Sequence, residues 1–286
     1  MPLLSELTQI EKTGDPELIT REFVSVKSSI DKKKLPRYPR ASAIYHDCMR
    51  QLVLINRYQI QDTKYNKFHQ NVVFSIGNAV HFWAQNTKSF IDDSYRRGLW
   101  KCRSCGFLSE FSGVISVACP SCGAKKSSFE YFEYPLKIEK PLYLTGHPDM
   151  FVEKPDNNYR VVEFKTINGN DFDKLKAPLI EHVWQVHSYM WGLSKDTLFK
   201  LLPFDNKISY IMYISKDMKI NSSPVKTFII KREPSIEKEI LNKLVKFKEG
   251  YLGGDLPPPS DLCVSAGYST YVAKNCPALA QCKKFT

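Results

Sequence analysis

The apolar positions of this chain repeat with two periods, and the switches between them predict its elements. Over residues 71–97, "NVVFSIGNAVHFWAQNTKSFIDDSYRR" has the 3.6-residue pattern of a helix, with Val73, Ile76, Val80, Trp83 and Phe90 near one face. "SAIYHDCMRQLVLINRY" (42–58) reads as a helix capped by Ser42, and "PLIEHVWQVHSYMWGL" as one starting near Pro178. Further on, "KISYIMYIS" and "PVKTFIIKR" are strand candidates, followed by an amphipathic helix, "SIEKEILNKLVKFKEGYL", ended by Gly253 and Gly254. "LYLTGHPDMFVE" and "YRVVEFKT" flank the turn sequence "KPDNN" and read as a hairpin, the first strand kinked at Gly146 and Pro148. Helices, hairpin, helix, strands, helix is the order of an α/β fold: a mixed central sheet flanked by helices.

Three charged residues break the apolar pattern of that hairpin. Period two puts Glu163 and Lys165 on one face, and pairing around the turn places Asp149 across from Glu163. Two converging carboxylates repel unless a cation lies between them, and a hard divalent ion such as Mg²⁺ or Mn²⁺ meets that need. Lys165 can then orient an attacking water or neutralise charge developing on a phosphate. A surface hairpin with an ordinary ion pair is the plain alternative. His81 borders the apolar helical stripe, where a histidine taken alone is more often a hydrogen-bonded core residue than a ligand. Gln185 and Tyr189, four apart, share a helix face and can bond a phosphate, a base edge or the neighbouring strand. His182 and His187 are assigned only surface or groove polarity.

Composition adds a partner class. The chain has 286 residues, 43% of them hydrophobic, enough for a sizeable core. Its net charge of +11 favours a polyanionic partner, nucleic acid or a membrane surface. A basic run, "DKKKLPRYPR", lies near the N-terminus. No stretch is long enough to cross a bilayer and no secretory signal is evident, so an intracellular, cytoplasmic protein is expected. No "GxxxxGK[ST]" loop occurs, so any unwinding needs a separate helicase or recombination protein.

In a reducing compartment eight cysteines suggest metal sites before disulfides. Cys102 and Cys105 form one C-x2-C knuckle and Cys119 and Cys122 a second, each followed by glycine, Gly106 and Gly123. Four thiolates at this spacing suit tetrahedral Zn²⁺ and mark residues 99–128 as a zinc ribbon. Phe107, Leu108, Phe111, Val114 and Ile115 are candidates for a small core within it. Cys48, Cys263, Cys276 and Cys282 are scattered, the last three in a loop-rich tail after "GGDLPPPSD". They can hold a second zinc or an iron–sulfur cluster, or be ordinary buried cysteines.

Five segments in order, "SAIYHDCMR", "GNAVH", "GHPD", "EFK" and "QVHSY", together resemble the RecB-like branch of the PD-(D/E)XK nucleases, which includes the CRISPR-associated adaptation nucleases and iron–sulfur helicase–nucleases. The resemblance covers roughly residues 41–98 and 129–286. It implies a restriction-endonuclease-like core and a metal-dependent DNA nuclease, exonucleolytic in character, serving recombination, repair or degradation. It further implies that His81, Asp149, Glu163 and the carbonyl of Phe164 bind the metal and that Lys165 is the catalytic lysine. Gln185 and Tyr189 would form the auxiliary motif that contacts the substrate strand or steadies the site. Cys48, Cys263, Cys276 and Cys282 would hold a 4Fe-4S cluster; Cys263 departs from the pattern, with more residues between it and Cys276 than the family usually has. The zinc ribbon is not a standard part of the family. The expected organisation is a basic segment (1–40), a helical part of the nuclease domain (41–98), the ribbon (99–128), the nuclease core (129–250) and a cysteine-anchored tail (251–286). The rival is a non-cleaving nucleic-acid-binding or adaptor subunit.

Overall fold

The computed structural model describes residues 37–60, 68–87, 90–217 and 223–285. Most of the basic N-terminal run, residues 31–36, and the side chain of Val73 lie outside them. A five-stranded sheet of order β1-β6-β7-β8-β9 organises the rest, from β1 (Arg96–Arg97), β6 (Met150–Glu153), β7 (Tyr159–Ile167), β8 (Ile208–Ser215) and β9 (Val225–Lys231). β7 and β8 run parallel and the other pairs antiparallel, so the sheet is mixed. The "KPDNN" turn closes the β6–β7 hairpin: the Asn157 and Lys154 N–H groups donate to the carbonyls of Lys154 and Asn158, and Asn157 takes φ 58°, which asparagine tolerates.

β7 has two faces with different duties. Val161 lies in an apolar layer with α1 (Met49–Tyr58), α4 (Ile180–Lys195) and α5 (Pro234–Tyr251). Val162 and Phe164, on the other face, pack with Met150, Trp100 and Tyr131, beside α2 (Phe68–Asn86). A short helix α3 (Gly169–Lys174) and then α4 carry the chain from β7 to its parallel neighbour β8, the kind of crossover a parallel pair requires. Two further two-stranded sheets flank the main one: β2 (Leu99–Cys102) with β3 (Phe129–Phe132), and β4 (Leu136–Ile138) with β5 (Leu144–Gly146).

Several expectations shift. Ser42 is not a helix cap: α1 begins at Met49, with Cys48 in the cap position and no side-chain cap bond. The preceding chain is held by β5 instead, where Ala41 N–H donates to the Thr145 carbonyl and Thr145 N–H to that of Pro39. The stripe on α2 is only partly its buried face: Val80 packs on the layer around Phe164. Ile76 and Trp83 are exposed, Ala84 and Gln85 are buried, and Phe90 lies beyond the helix end, packed on Trp83 and Phe164. Short side chains let α2 approach the sheet closely, which turns its bulky residues outward. His187 is a buried strut rather than surface polarity. Its Nδ1 donates to the Val183 carbonyl and its Nε2 accepts from Glu233 N–H, joining α4 to the start of α5.

The tail folds back on α1 as three short helices, α6 (Asp261–Ser265), α7 (Tyr271–Lys274) and α8 (Leu279–Lys283). Buried Arg50 ties it down by donating to the carbonyls of Pro257 and Phe285 at 3.0 and 2.9 Å. Among the described residues no helix is long and apolar enough to cross a membrane.

Candidate active site

Asp149 immediately precedes β6, where "GHP" has broken the strand. Met150 pairs with Val162, so the register extended by one residue puts Asp149 opposite Glu163. Its Oδ2 accepts from the Phe164 N–H at 2.7 Å, and Oδ1 lies 3.2 Å from His81 Nδ1 on α2. Glu163 and Lys165 project from the same face of β7, toward α4. Lys165 Nζ donates to Glu163 Oε1 at 2.9 Å and to Gln185 Oε1 at 2.8 Å. Gln185 Nε2 donates in turn to Glu163 Oε1 and to the Tyr189 hydroxyl, which donates to the His147 carbonyl.

Gln185 and Tyr189 are 4% and 1% exposed, so they brace the hairpin from behind rather than present a face to a substrate. A glycine makes the brace fit. A Cβ at Gly146 would stand 2.7 Å from the Tyr189 ring and 3.1 Å from Ala41 Cβ. Gly146→Ala is therefore expected to displace Tyr189, cost about 1–3 kcal/mol of stability and loosen the support of Glu163 and Lys165. Denaturant unfolding checks this.

The electrostatics are those of acids crowded out of water. Glu163 is pushed up to about 8, by burial first and then by the charge of Asp149. Glu133 is raised by the same two causes. Burial lowers Lys165 and His81, but the neighbouring carboxylates outweigh it and hold both above their usual values.

Glu133 went unread in the sequence. It follows β3, and its carboxylate, that of Asp149 and a ring nitrogen of His81 lie within 4.8 Å of one another; Glu163 stands beside that group, outside it. Gln85 Nε2 holds Glu133 Oε1 at 2.9 Å and the Asp149 carbonyl at 2.8 Å. Gln85 is four residues from His81 on one helix, a spacing that could have revealed it; nothing in "FEYFEYP" distinguishes Glu133 from its neighbours. Oxygen donors with one imidazole suit Mg²⁺ or Mn²⁺. Glu163 Oε2, beside this group, is buried without a hydrogen-bond partner, an unmet need that a cation lying between Glu163 and Asp149 would answer. The residues fit such an ion.

The ribbon cysteines converge as expected. Cys102–Cys122 and Cys105–Cys119 Sγ distances are 3.8 and 3.7 Å, and all four sulfurs lie within 4.8 Å of one another. Zn–S bonds of 2.3 Å in a tetrahedron give an S–S edge of about 3.8 Å. Each knuckle closes at a glycine of positive φ, 78° at Gly106 and 71° at Gly123. The ribbon's apolar residues, however, do not form a core of their own. Phe111 packs on Phe151 and Phe199 of the main domain, and Val114 and Ile115 pack on the layer around Phe164. Zinc chelation is accordingly expected to raise hydrogen exchange at both knuckles while residues 111–115 stay protected, as peptide-resolved exchange would show.

Cys48, Cys263, Cys276 and Cys282 all line one cavity of about 280 Å³ between α1 and the tail. The extra residues between Cys263 and Cys276 are taken up by α7 and a turn with Gly267 and Tyr268 at positive φ. No three of these four sulfurs lie within 4.8 Å of one another.

The profile of the PD-(D/E)XK nuclease superfamily matches residues 41–283, and the chain belongs to that superfamily. Solved structures similar to it include an alkaline exonuclease from Laribacter hongkongensis, with 10% identity over 75% of this chain and 88% of that one and a TM-score of 0.44. The same exonuclease in complex with dAMP matches with 11% identity, 77% and 90% coverage and a TM-score of 0.45. A phage-related exonuclease from Haemophilus somnus 129PT matches with 11% identity, 77% and 96% coverage and a TM-score of 0.37. No curated protein sequence matches the chain.

Proposed function

We propose that this protein is a metal-dependent deoxyribonuclease that hydrolyses phosphodiester bonds from DNA ends. The observation that carries the reading is the orphaned Glu163 Oε2, buried beside Asp149 and Lys165 in a family of nucleases. His81, Asp149 and Glu163, with the Phe164 carbonyl, would hold Mg²⁺ or Mn²⁺, and Glu133 joins them on its geometry. Such an ion supplies Lewis-acid stabilisation of charge on the phosphate. Asp149 is kept in place by the Phe164 N–H and by His81. Lys165 spends two of its three N–H bonds on Glu163 and Gln185, and the third orients the attacking water or neutralises a phosphate oxygen. Gln185 and Tyr189 are positioning residues. End-directed cleavage and a role in recombination, repair or degradation rest on the resemblance set out above.

The test is incubation of purified protein with linear, circular and single-stranded DNA and with RNA, with and without added Mg²⁺ or Mn²⁺. Metal-dependent degradation of linear DNA, circular DNA left intact, and loss of activity in Lys165→Ala are expected. Binding without cleavage by the wild-type protein would replace this reading with a nucleic-acid-binding or adaptor subunit.

In the same proposal the ribbon holds one Zn²⁺, and Cys48, Cys263, Cys276 and Cys282 hold a 4Fe-4S cluster with a structural role. What supports a shared metal site is that all four cysteines line one cavity; the choice of a cluster over a second zinc rests on the resemblance set out above.

A further inference from the structure

A cleft of about 900 Å³ opens between the C-terminal end of α2 and the zinc ribbon, and nothing in the proposed chemistry uses it. Its walls carry four cations, Arg96, Arg97, Arg103 and Lys126, against two carboxylates, Asp93 and Glu130. Arg96 and Arg97 are committed to ion pairs with Asp93 and Glu153. Arg103 and Lys126, both exposed on the ribbon, form no ion pair among the described residues. Arg103 is held across the ribbon by its bond to the Ser127 carbonyl at 2.8 Å, which sets its guanidinium beside Lys126. One exposed aromatic ring faces the cleft, Phe82 on the helix side, half exposed; Trp100 and Phe129 on the ribbon side are packed into the core layer beneath it.

Spare cations across a cleft from an exposed aromatic ring are the chemistry of single-strand recognition, in which phosphates meet the charges and a base stacks on the ring. The volume is that of a small-ligand pocket, room for a few nucleotides of one strand. Its position links it to the acids. Asn86 lines the cleft and is pinned to β3 through the Tyr131 N–H; its neighbour Gln85 holds both Glu133 and the Asp149 carbonyl. His81 is five residues back on the same helix, about 7.5 Å along its axis.

We propose that the cleft between α2 and the zinc ribbon binds a single-stranded segment of the DNA substrate and leads it past His81 to the acidic cluster. This deepens the nuclease reading and rests on it. The ribbon is then a substrate guide whose zinc fixes the placement of Arg103 and Lys126.

The test uses the full chain carrying Glu163→Ala, so that the probe stays intact, and a short fluorescein-labelled oligothymidylate followed by anisotropy across a salt series. Adding Arg103→Ala with Lys126→Ala should weaken single-strand binding about tenfold at low salt and shallow the salt dependence by about one to two phosphate contacts. Phe82→Ala, at an exposed position, should weaken it about fivefold or more through lost stacking and leave the salt slope unchanged. Zinc at one ion per chain in each variant shows that the ribbon is intact. Unchanged single-strand affinity in both variants overturns the proposal, as does an equal loss for a blunt duplex of the same length. Cleavage by the otherwise wild-type protein is measured in parallel. If that protein cuts DNA while the cleft variants bind normally, the guide is lost and the nuclease reading stands. If it cuts nothing, the nuclease reading fails whatever the cleft binds.

Discussion

DNA cleavage by Asp149→Ala or Glu163→Ala is expected to fall about a thousandfold or more, with the fold retained. Both side chains are buried, Asp149 at 5% and Glu163 at 2% exposure, but neither supports the apolar core. Their mutual repulsion weakens the metal-free fold, so removing one relieves it. The pH dependence of stability should show this. Folding moves Glu163 from an ordinary value of 4.5 up to about 8. Between those values the folded chain keeps a proton that the unfolded chain has released, so metal-free stability falls as pH rises through that window. Glu163→Gln should flatten the fall and leave the protein more stable than wild type near pH 8, as thermal melts at several pH values would reveal. Undiminished cleavage by Glu163→Ala would remove Glu163 from the site.

Anaerobically purified protein is expected to be brown and to contain iron and sulfide, and Cys276→Ala to lose both together with about 2–4 kcal/mol of stability in the loop-closure description. More than two hundred residues separate Cys48 from Cys263, and the shared cavity closes that loop. The tail should loosen rather than detach, because Arg50 still holds the Pro257 and Phe285 carbonyls. Limited proteolysis of Cys276→Ala should accordingly cut first within residues 261–285. A colourless preparation with two zinc ions per chain would install a second zinc site, and full iron in Cys263→Ala would exclude that residue from the ligands.

Features that depend on short range were legible in the sequence. The "KPDNN" turn and period two suffice to place Asp149, Glu163 and Lys165 together, and two C-x2-C-G knuckles suffice for the ribbon. What escaped depends on how distant segments meet. Glu133 joins His81 and Asp149 only because β3 packs beside α2. Arg50 reads as an ordinary helical arginine until the tail brings carbonyls to it. Phe111 reads as part of a small ribbon core, yet the ribbon is too small to bury a phenylalanine and the main domain has room for one. The expected Ser42 cap failed for a related reason: bonds to β5 claimed that segment before a helix could.

Phe164, fully buried between the two reactive side chains of β7 and on the opposite face from them, gives the enzyme a safeguard against misassembly. If β7 paired one residue out of step, Glu163 and Lys165 would be driven into the apolar layer with Trp100 and Met150, and a phenylalanine would take their place in the acidic cluster. Burying that ion pair there, cut off from Gln185 and the rest of the polar cluster, is costly. An off-by-one sheet is thus both unstable and stripped of the acids and lysine that the native register brings together, so a misassembled copy also lacks the site.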